Sequence, residues 1–495
     1  MSSSGSLSEA STTRCQDQNF DDVEKGLKDH THNLPILPPS AFWPRGAKVL
    51  LPPDPESSEK RATNPRPKVS RWILFQLWFN PYRKFFTFVM LLNMTGIIMA
   101  ALGRFRYADH HLGALVLGNL LLAVLMRNEL FLRFLYTIAI YGLRSWAPTS
   151  IKLIVTAALQ HVGGIHSGCA LSGALWLVFK IVDIIRNHAV QNTAVIVMGV
   201  ITNVLVISSI VSALPWIRNS HHNVFETNHR IIGWLGIATT WNFVILGNSY
   251  DIVEQRWRAD GHSLMGAQEF WFAMFITAFV LIPWLTLREV PVEVEIPSPK
   301  VAILKFKRGM QQGLLGRIGR HSVMEYHAFG IISEGKNSGC HYMICGVQGD
   351  FTKSIVEDPP RAVWTRELKF AGVGHASAMF KRGIRICTGT GIGAALSTCI
   401  QSENWFLIWI GSDQEKTFGP TISGIIHRNI PLERMILWDS KERGGRPDTV
   451  KLLKETWDSF GAEVIFITSN MQGNDEMMRG CRAAGLPAFG TLWDF

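Results

Sequence analysis

The residues with the plainest chemistry are glycines. Thr388-Gly389-Thr390-Gly391-Ile392-Gly393-Ala394 follows a short apolar run, Ile384-Arg385-Ile386-Cys387, and precedes a helical stretch from Ala395 to Ile400. Glycines let the backbone turn tightly and approach a pyrophosphate. The helix N-terminus behind them offers free N–H groups and the positive end of its dipole to phosphates. The pattern predicts a dinucleotide site at Thr388, Gly389, Thr390, Gly391, Ile392 and Gly393. Ser412 and Lys416 follow the next apolar run, Trp405–Ile410, where adenosine-phosphate contacts fall in such folds. No acidic residue immediately ends that run to hold a ribose diol, so NADPH is expected over NADH.

Three further stretches stand out: Tyr326-His327-Ala328-Phe329-Gly330-Ile331-Ile332-Ser333, Gly349-Asp350-Phe351-Thr352-Lys353-Ser354, and the aromatic chain end Trp493-Asp494-Phe495. The elements that must position them are legible from patterning. Apolar runs concentrate between Phe85 and Leu287 and give six spans of membrane-crossing length, about 85–103, 112–127, 157–180, 194–216, 229–248 and 268–287. Arg127 and Glu129 interrupt the second, and 130–143 either extends it or lies along the interface. Trp72, Trp78, Tyr82, Arg83 and Lys84 suit a membrane–water boundary. Cations between the second and third spans put both termini in the cytosol, with the plasma membrane expected over an internal one. After Leu287 the pattern changes to period 2, as in half-buried strands, and after about 383 strands alternate with helices. The expected architecture is multi-domain. A disordered cytosolic tail (1–70) precedes a six-helix transmembrane bundle (71–288), an antiparallel β-barrel (289–380) and an α/β domain with a parallel sheet (381–495).

Composition excludes several classes. The net charge of +10 suits an anionic leaflet, and no basic block or zinc-finger spacing points to nucleic acid. Seven cysteines without a C-x-x-C pair argue against a disulfide framework, a zinc site or an iron–sulfur cluster.

Spans, barrel, glycine-rich domain and aromatic C-terminus, in that order, resemble the ferric reductase and NADPH oxidase superfamily, and most closely the fungal TmpA-type membrane flavoproteins. The resemblance covers about 71–495. It implies an FAD site on the superfamily's His-Pro-Phe-Thr-x-x-Ser strand. His327, Phe329 and Ser333 match that motif, while Ala328 and Gly330 replace Pro and Thr, so a flavin-facing hydroxyl is missing. Gly349, Phe351, Thr352 and Ser354 stand where relatives receive the FAD pyrophosphate. Arg446, in a Gly-Arg-Pro element, resembles an NADPH contact, and its planar fork suits phosphate oxygens. Phe495 or Trp493 would shield the flavin as the catalytic-site ring. Thr468-Ser469-Asn470 replaces the Cys-Gly-Pro of many relatives.

The superfamily also carries two b-type haems, held by His pairs about thirteen residues apart on the third and fifth spans. Here only His161, His166 and His229 fall in suitable places, and Trp241 stands twelve residues after His229. At most one haem b is expected, on the cytosolic side. His229 would be one iron ligand, and His161, preferred by depth, or His166 the other. Five residues turn a helix by about 140°, so His161 and His166 cannot both face one iron. The expected function is electron transfer from NADPH or NADH through FAD to an unidentified acceptor. The alternative is a low-turnover FAD-binding sensor.

Overall fold

The computed structural model describes residues 69–492, apart from 259, 323 and 324. The tail expected over 1–70 lies almost wholly outside the described residues, as do Trp493 and Phe495.

A short helix, α1 (Arg71–Trp78), leads into α2 (Pro81–Ala101), where the Asn80 side chain caps the first turn and Pro81 takes a position that needs no N–H donor. The helical region continues through α3 (Arg106–Leu125), α4 (Glu129–Leu143), α5 (Thr149–Gln160), α6 (Gly163–Arg186), α7 (Thr193–Ser212), α8 (Pro215–Ser220), α9 (His222–Ser249), α10 (Gly261–Gly266) and α11 (Gln268–Leu285). A small hairpin, β1 (Tyr250–Asp251) and β2 (Arg256–Trp257), separates α9 from α10. Six of these helices, α2, α3, α6, α7, α9 and α11, are long and apolar enough to cross a membrane. The third begins at Gly163, six residues later than the expected start at 157. Residues 149–160 form α5 instead.

The loop between the second and third long helices is itself helical and does not extend a span. Asn128 caps α4, and Tyr136, Ala139 and Ile140 bury against Ala376, Met379 and Phe380 of the following domain. The Gln160 amide donates to the carbonyl of Gly490. Apolar side chains that read as lipid-facing are thus partly protein-facing.

From Leu287 the chain builds a curled antiparallel half-barrel: β3 (Leu287–Pro291), β4 (Glu293–Ser298), β5 (Val301–Lys307), β6 (Leu314–Gly319), β7 (His327–Ile332), β8 (Cys340–Gly346), β9 (Ala362–Arg366) and β10 (Phe370–Ala371). Its order is β3-β9-β6-β7-β8-β5-β4, with β10 added beside β6. Helix α12 (Asp350–Glu357) closes it, burying Phe351 and Ile355 in a core with Leu304, Ile318, Ile331 and Met343.

The last unit is an open parallel sheet. Strands β11 (Gly383–Thr388), β12 (Trp405–Gly411), β13 (Met435–Asp439), β14 (Val464–Thr468) and β15 (Ala488–Phe489) lie in the order β13-β12-β11-β14-β15. Helices α13 (Ile392–Gln401), α14 (Gln414–Asn429), α15 (Thr449–Phe460) and α16 (Met471–Ala483) connect them. The order reverses between β11 and β14, so ligands of such sheets collect at the carboxyl end of β11. The glycine-rich turn sits there.

Candidate flavin and nucleotide site, and a cavity between the helices

Each glycine of the turn answers a different demand. Gly389 has φ +50°, which allows the tight exit from β11. A Cβ at Gly391 would meet the carbonyl oxygen of Thr468 at 2.5 Å, so that glycine admits the end of β14. Gly393 is buried, and a Cβ there would touch Ile344 of the half-barrel at 3.4 Å. Thr388 shares a 2.7 Å hydrogen bond with Ser469. The structure therefore brings Thr388, Gly389, Thr390, Gly391, Ile392 and Gly393 together with Thr468 and Ser469 at the switch point. Gly391 also packs against the end of β14.

Strand β7 lies directly against this turn. A Cβ at Gly330 would fall 2.4 Å from Ala394 Cα, and one at Gly346 would fall 2.6 Å from the Thr390 methyl. The missing hydroxyl at position 330 thus has a steric cause. His327 stacks on Phe351 at 4.2 Å between ring centroids, and Glu325 accepts a 2.5 Å hydrogen bond from its Nε2. Phe329 lies 6.3 Å from the same Phe351 ring, and Ala328 is exposed. Beside them, a side chain at Gly349 would meet nothing within 4 Å. The amides of Asp350, Phe351 and Thr352 open α12, with no carbonyl one turn earlier to receive them.

The expected hydroxyl donors have other work. Thr352 Oγ1 accepts from the amides of Gln348 and Gly349 and donates to the Gly349 carbonyl. Ser354 donates to the Phe351 carbonyl. Ser333 is buried; its Oγ accepts from Met310 N and donates to the Gly335 carbonyl, while its own N–H donates to Ser397. These three stand at or near β7 and the α12 N-terminus with their side chains committed to the scaffold.

Ser412 and Lys416 are exposed at the carboxyl end of β12, and Arg446 is exposed in the loop after β13. That loop adds Lys441, paired with Asp413 at 2.7 Å, and Arg443, lying 4.6 Å over Trp438. Burial would raise the Asp439 carboxyl, but amides of Gln414, Lys441, Asp413 and Glu442 outweigh it and hold the group low. Asp439 therefore serves the β13 loop as an ionised cap. Burial pushes the Cys399 and Cys481 thiols up to about 12, which removes them as thiolate nucleophiles.

The bundle contains a second feature. A cavity of 880 Å³, walled largely by aliphatic side chains such as Leu120 and Ile276, has both His166 and His229 on its surface, with Arg218 and Arg230 beside them. His166 Nδ1 donates to the Ala123 carbonyl at 2.8 Å, which only accepts, so its Nε2 keeps a lone pair. His229 Nδ1 lies 3.1 Å from the Ser209 hydroxyl and 3.2 Å from the Ser209 carbonyl. His161 is elsewhere: it ends α5, outside the long helix, with Nδ1 bonded to the Ala157 carbonyl at 2.7 Å, and is not part of the cavity wall. The preference for His161 over His166 gives way to the reverse.

Sequence reading missed the joint between bundle and half-barrel. Glu129 pairs with Arg317 and with Arg366, the latter at 3.1 Å, and Asn128 donates to the Phe279 carbonyl at 2.7 Å. The one signal was an acid and an asparagine interrupting an apolar run.

A family described as "Adenylate-forming reductase 03009, C-terminal domain" matches residues 373–495. Adenylate-forming reductase 06235 of Coprinopsis cinerea is 30% identical over 423 residues, covering 84% of this chain and 40% of that protein. Adenylate-forming reductase 03009 of the same organism is 28% identical over 422 residues, with the same coverage, 84% and 40%. The chain thus spans 40% of the length of the curated relatives it matches. Among solved structures, phthalate dioxygenase reductase aligns with a TM-score of 0.31 and 10% identity over 41% of this chain and 67% of that one. A cytochrome P450 reductase from Amycolatopsis gives 0.31 and 11%, over 41% and 69%.

Proposed function

We propose that this chain is an integral membrane flavoprotein, resembling the ferric reductases, that draws electrons from NADPH through FAD and delivers them to one haem b between its helices. The observation that carries the reading is the meeting of β7, the N-terminus of α12 and the glycine turn of β11 in one place. A half-barrel strand apposed to a parallel-sheet switch point is a geometry for holding a flavin against a nicotinamide.

The residues fit FAD. The open α12 amides suit its pyrophosphate, the Glu325-held His327 ring stacks beside them on Phe351, and Phe329 offers an apolar face. Thr390 and Gly391 bring nucleotide phosphates to the α13 N-terminus, while Lys416 and Arg446 supply the charge that would favour NADPH over NADH. Bound FAD accepts a hydride and releases electrons singly; the protein orients it and excludes water. The bundle cavity fits haem b. Two imidazoles face an apolar space, His166 with its Nδ1 bonded to a carbonyl, and Arg218 and the Glu226-paired Arg230 stand beside them on the side where propionates would lie. Lys180 and Phe243 fill the corresponding positions further along the same helices, which supports a single haem. The curated relatives are named adenylate-forming reductases, and we read this chain as the reducing part of such an assembly. The bilayer, the plasma membrane as its location and cytosolic termini belong to the same reading.

The test is spectroscopic. Detergent-purified full chain should take up FAD, bleach its flavin band with NADPH, and show one b-type haem per chain. His166→Ala and His229→Ala should lose the haem, while His161→Ala keeps it. Folded protein with no affinity for FAD overturns the proposal. FAD uptake without NADPH-dependent bleaching favours the sensor alternative, to which the committed hydroxyls of Ser333, Thr352 and Ser354 point.

A further inference from the structure

Trp284, next to last in α11, touches both halves of the molecule. Towards the bundle it meets Trp234 edge-on, 5.5 Å between centroids, and Arg230 Cζ lies 5.4 Å from its ring. Trp234 and Arg230 both wall the cavity that holds His229. Towards the half-barrel it meets Tyr326 edge-on at 5.9 Å. Tyr326 is buried and immediately precedes His327 of the flavin strand. Arg366 lies against both rings, 4.7 Å from Trp284 and 5.3 Å from Tyr326, and Glu129 holds it there. A hydrogen-bonded route also exists, from Glu129 through Arg317 of β6 to β7, but it reaches the half-barrel through β6 and involves no aromatic ring.

We propose that Trp284 and Tyr326 are the electronic bridge between flavin strand and helix cavity, a proposal that rests on the flavin-to-haem reading above. One electron leaves the flavin and one arrives at the ferric haem, and the rings undergo no net change. Two guanidinium cations over Trp284 disfavour its oxidation, so the rings act as a conducting contact and not as radical intermediates. Arg366 is a positioning residue that fixes the two rings.

The experiment compares Trp284→Leu, Tyr326→Leu and Trp284→Phe in the full chain. Cofactor-free protein is read first by near-ultraviolet circular dichroism, where the coupled Trp234–Trp284 signal should vanish in Trp284→Leu. In loaded protein, flavin and haem content, both midpoint potentials and the rate of flavin reduction by NADPH should match the parent. Haem reduction should slow about tenfold in both leucine variants. Trp284→Phe, which keeps a ring, should recover most of the rate. Parental haem reduction in both leucine variants overturns the bridge and leaves the flavin-to-haem reading standing. A parent that holds FAD but no haem overturns that reading and the bridge with it. Should Trp284→Leu lose its cofactors, Trp284→Met decides by the same criterion.

Discussion

Gly330 shows how a missing side chain is read differently in one and three dimensions. In sequence it is a lost hydroxyl; in the structure it is the contact that lets β7 reach Ala394. Gly330→Thr, which restores the superfamily residue, should therefore destabilise the reductase half by about 1–3 kcal/mol through overpacking, without strengthening FAD binding. Thermal melting and flavin titration check both parts. Similarly, Gly391→Val should lower stability as well as nucleotide use, since its Cβ meets the Thr468 carbonyl. Loss of NADPH oxidation at unchanged melting temperature would leave Gly391 to the phosphate alone. The glycine turn was legible because strand, turn and helix are contiguous. The partners of Ser333, Thr352 and Ser354 were not, because each hydroxyl turns back to a carbonyl two or three residues away, a local choice that competes with a ligand and leaves no mark in the residue types.

The elements between the second and third long helices carry the other lesson. Residues 149–160 are apolar, and hydropathy alone cannot separate a face turned to lipid from one turned to protein. Helices α4 and α5 pack on the core shared by the half-barrel and the parallel sheet, which moved the third long helix downstream and took His161 out of it. The joint they make is held by Glu129, which is 7% exposed. Glu129→Gln should leave two arginines poorly compensated and cost about 3 kcal/mol, at the low end for a broken buried pair because Arg317 is one-third exposed. A melting curve that splits into separate bundle and reductase transitions is the expected signature. Nearby, burial lowers Lys369 from 10.5 to about 8, with Glu129 opposing the shift. The unfolded chain then holds the proton that the folded chain releases, so stability attributable to this group rises between about pH 8 and 10.5. Lys369→Met should flatten that part of the pH–stability curve.

Over the whole molecule, the order of bundle, half-barrel and parallel sheet followed from periodicity, while the joints between them did not. The same holds for the counting of histidines. Fourteen residues beyond His166 stands Lys180, and fourteen beyond His229 stands Phe243 (180 − 166 and 243 − 229); in the structure the Lys180 ammonium lies 5.2 Å over the Phe243 ring. On the proposed reading these are the positions where a second pair of iron ligands would stand, and they pack on each other instead. Glu269 adds to the seal, since a Cβ at Gly113 would meet both it and Lys180 at 2.6 Å. Trp176 fills the adjacent layer, 1% exposed. Double substitution, Lys180→His with Phe243→His, should not create a second haem, because Glu269 and the packed layer remain. Pyridine haemochrome analysis of that variant gives the count.

That plug has an electrical meaning. Moving one charge through the full membrane potential is worth about 2.3 kcal/mol per 100 mV. On the proposed reading, an electron that enters from the half-barrel side and stops at His166 and His229 would traverse little of that field. Turnover in sealed vesicles should then generate no voltage, and collapsing an imposed potential with an ionophore should leave the NADPH oxidation rate unchanged. The protein would be a redox device anchored in a membrane yet electrically silent across it.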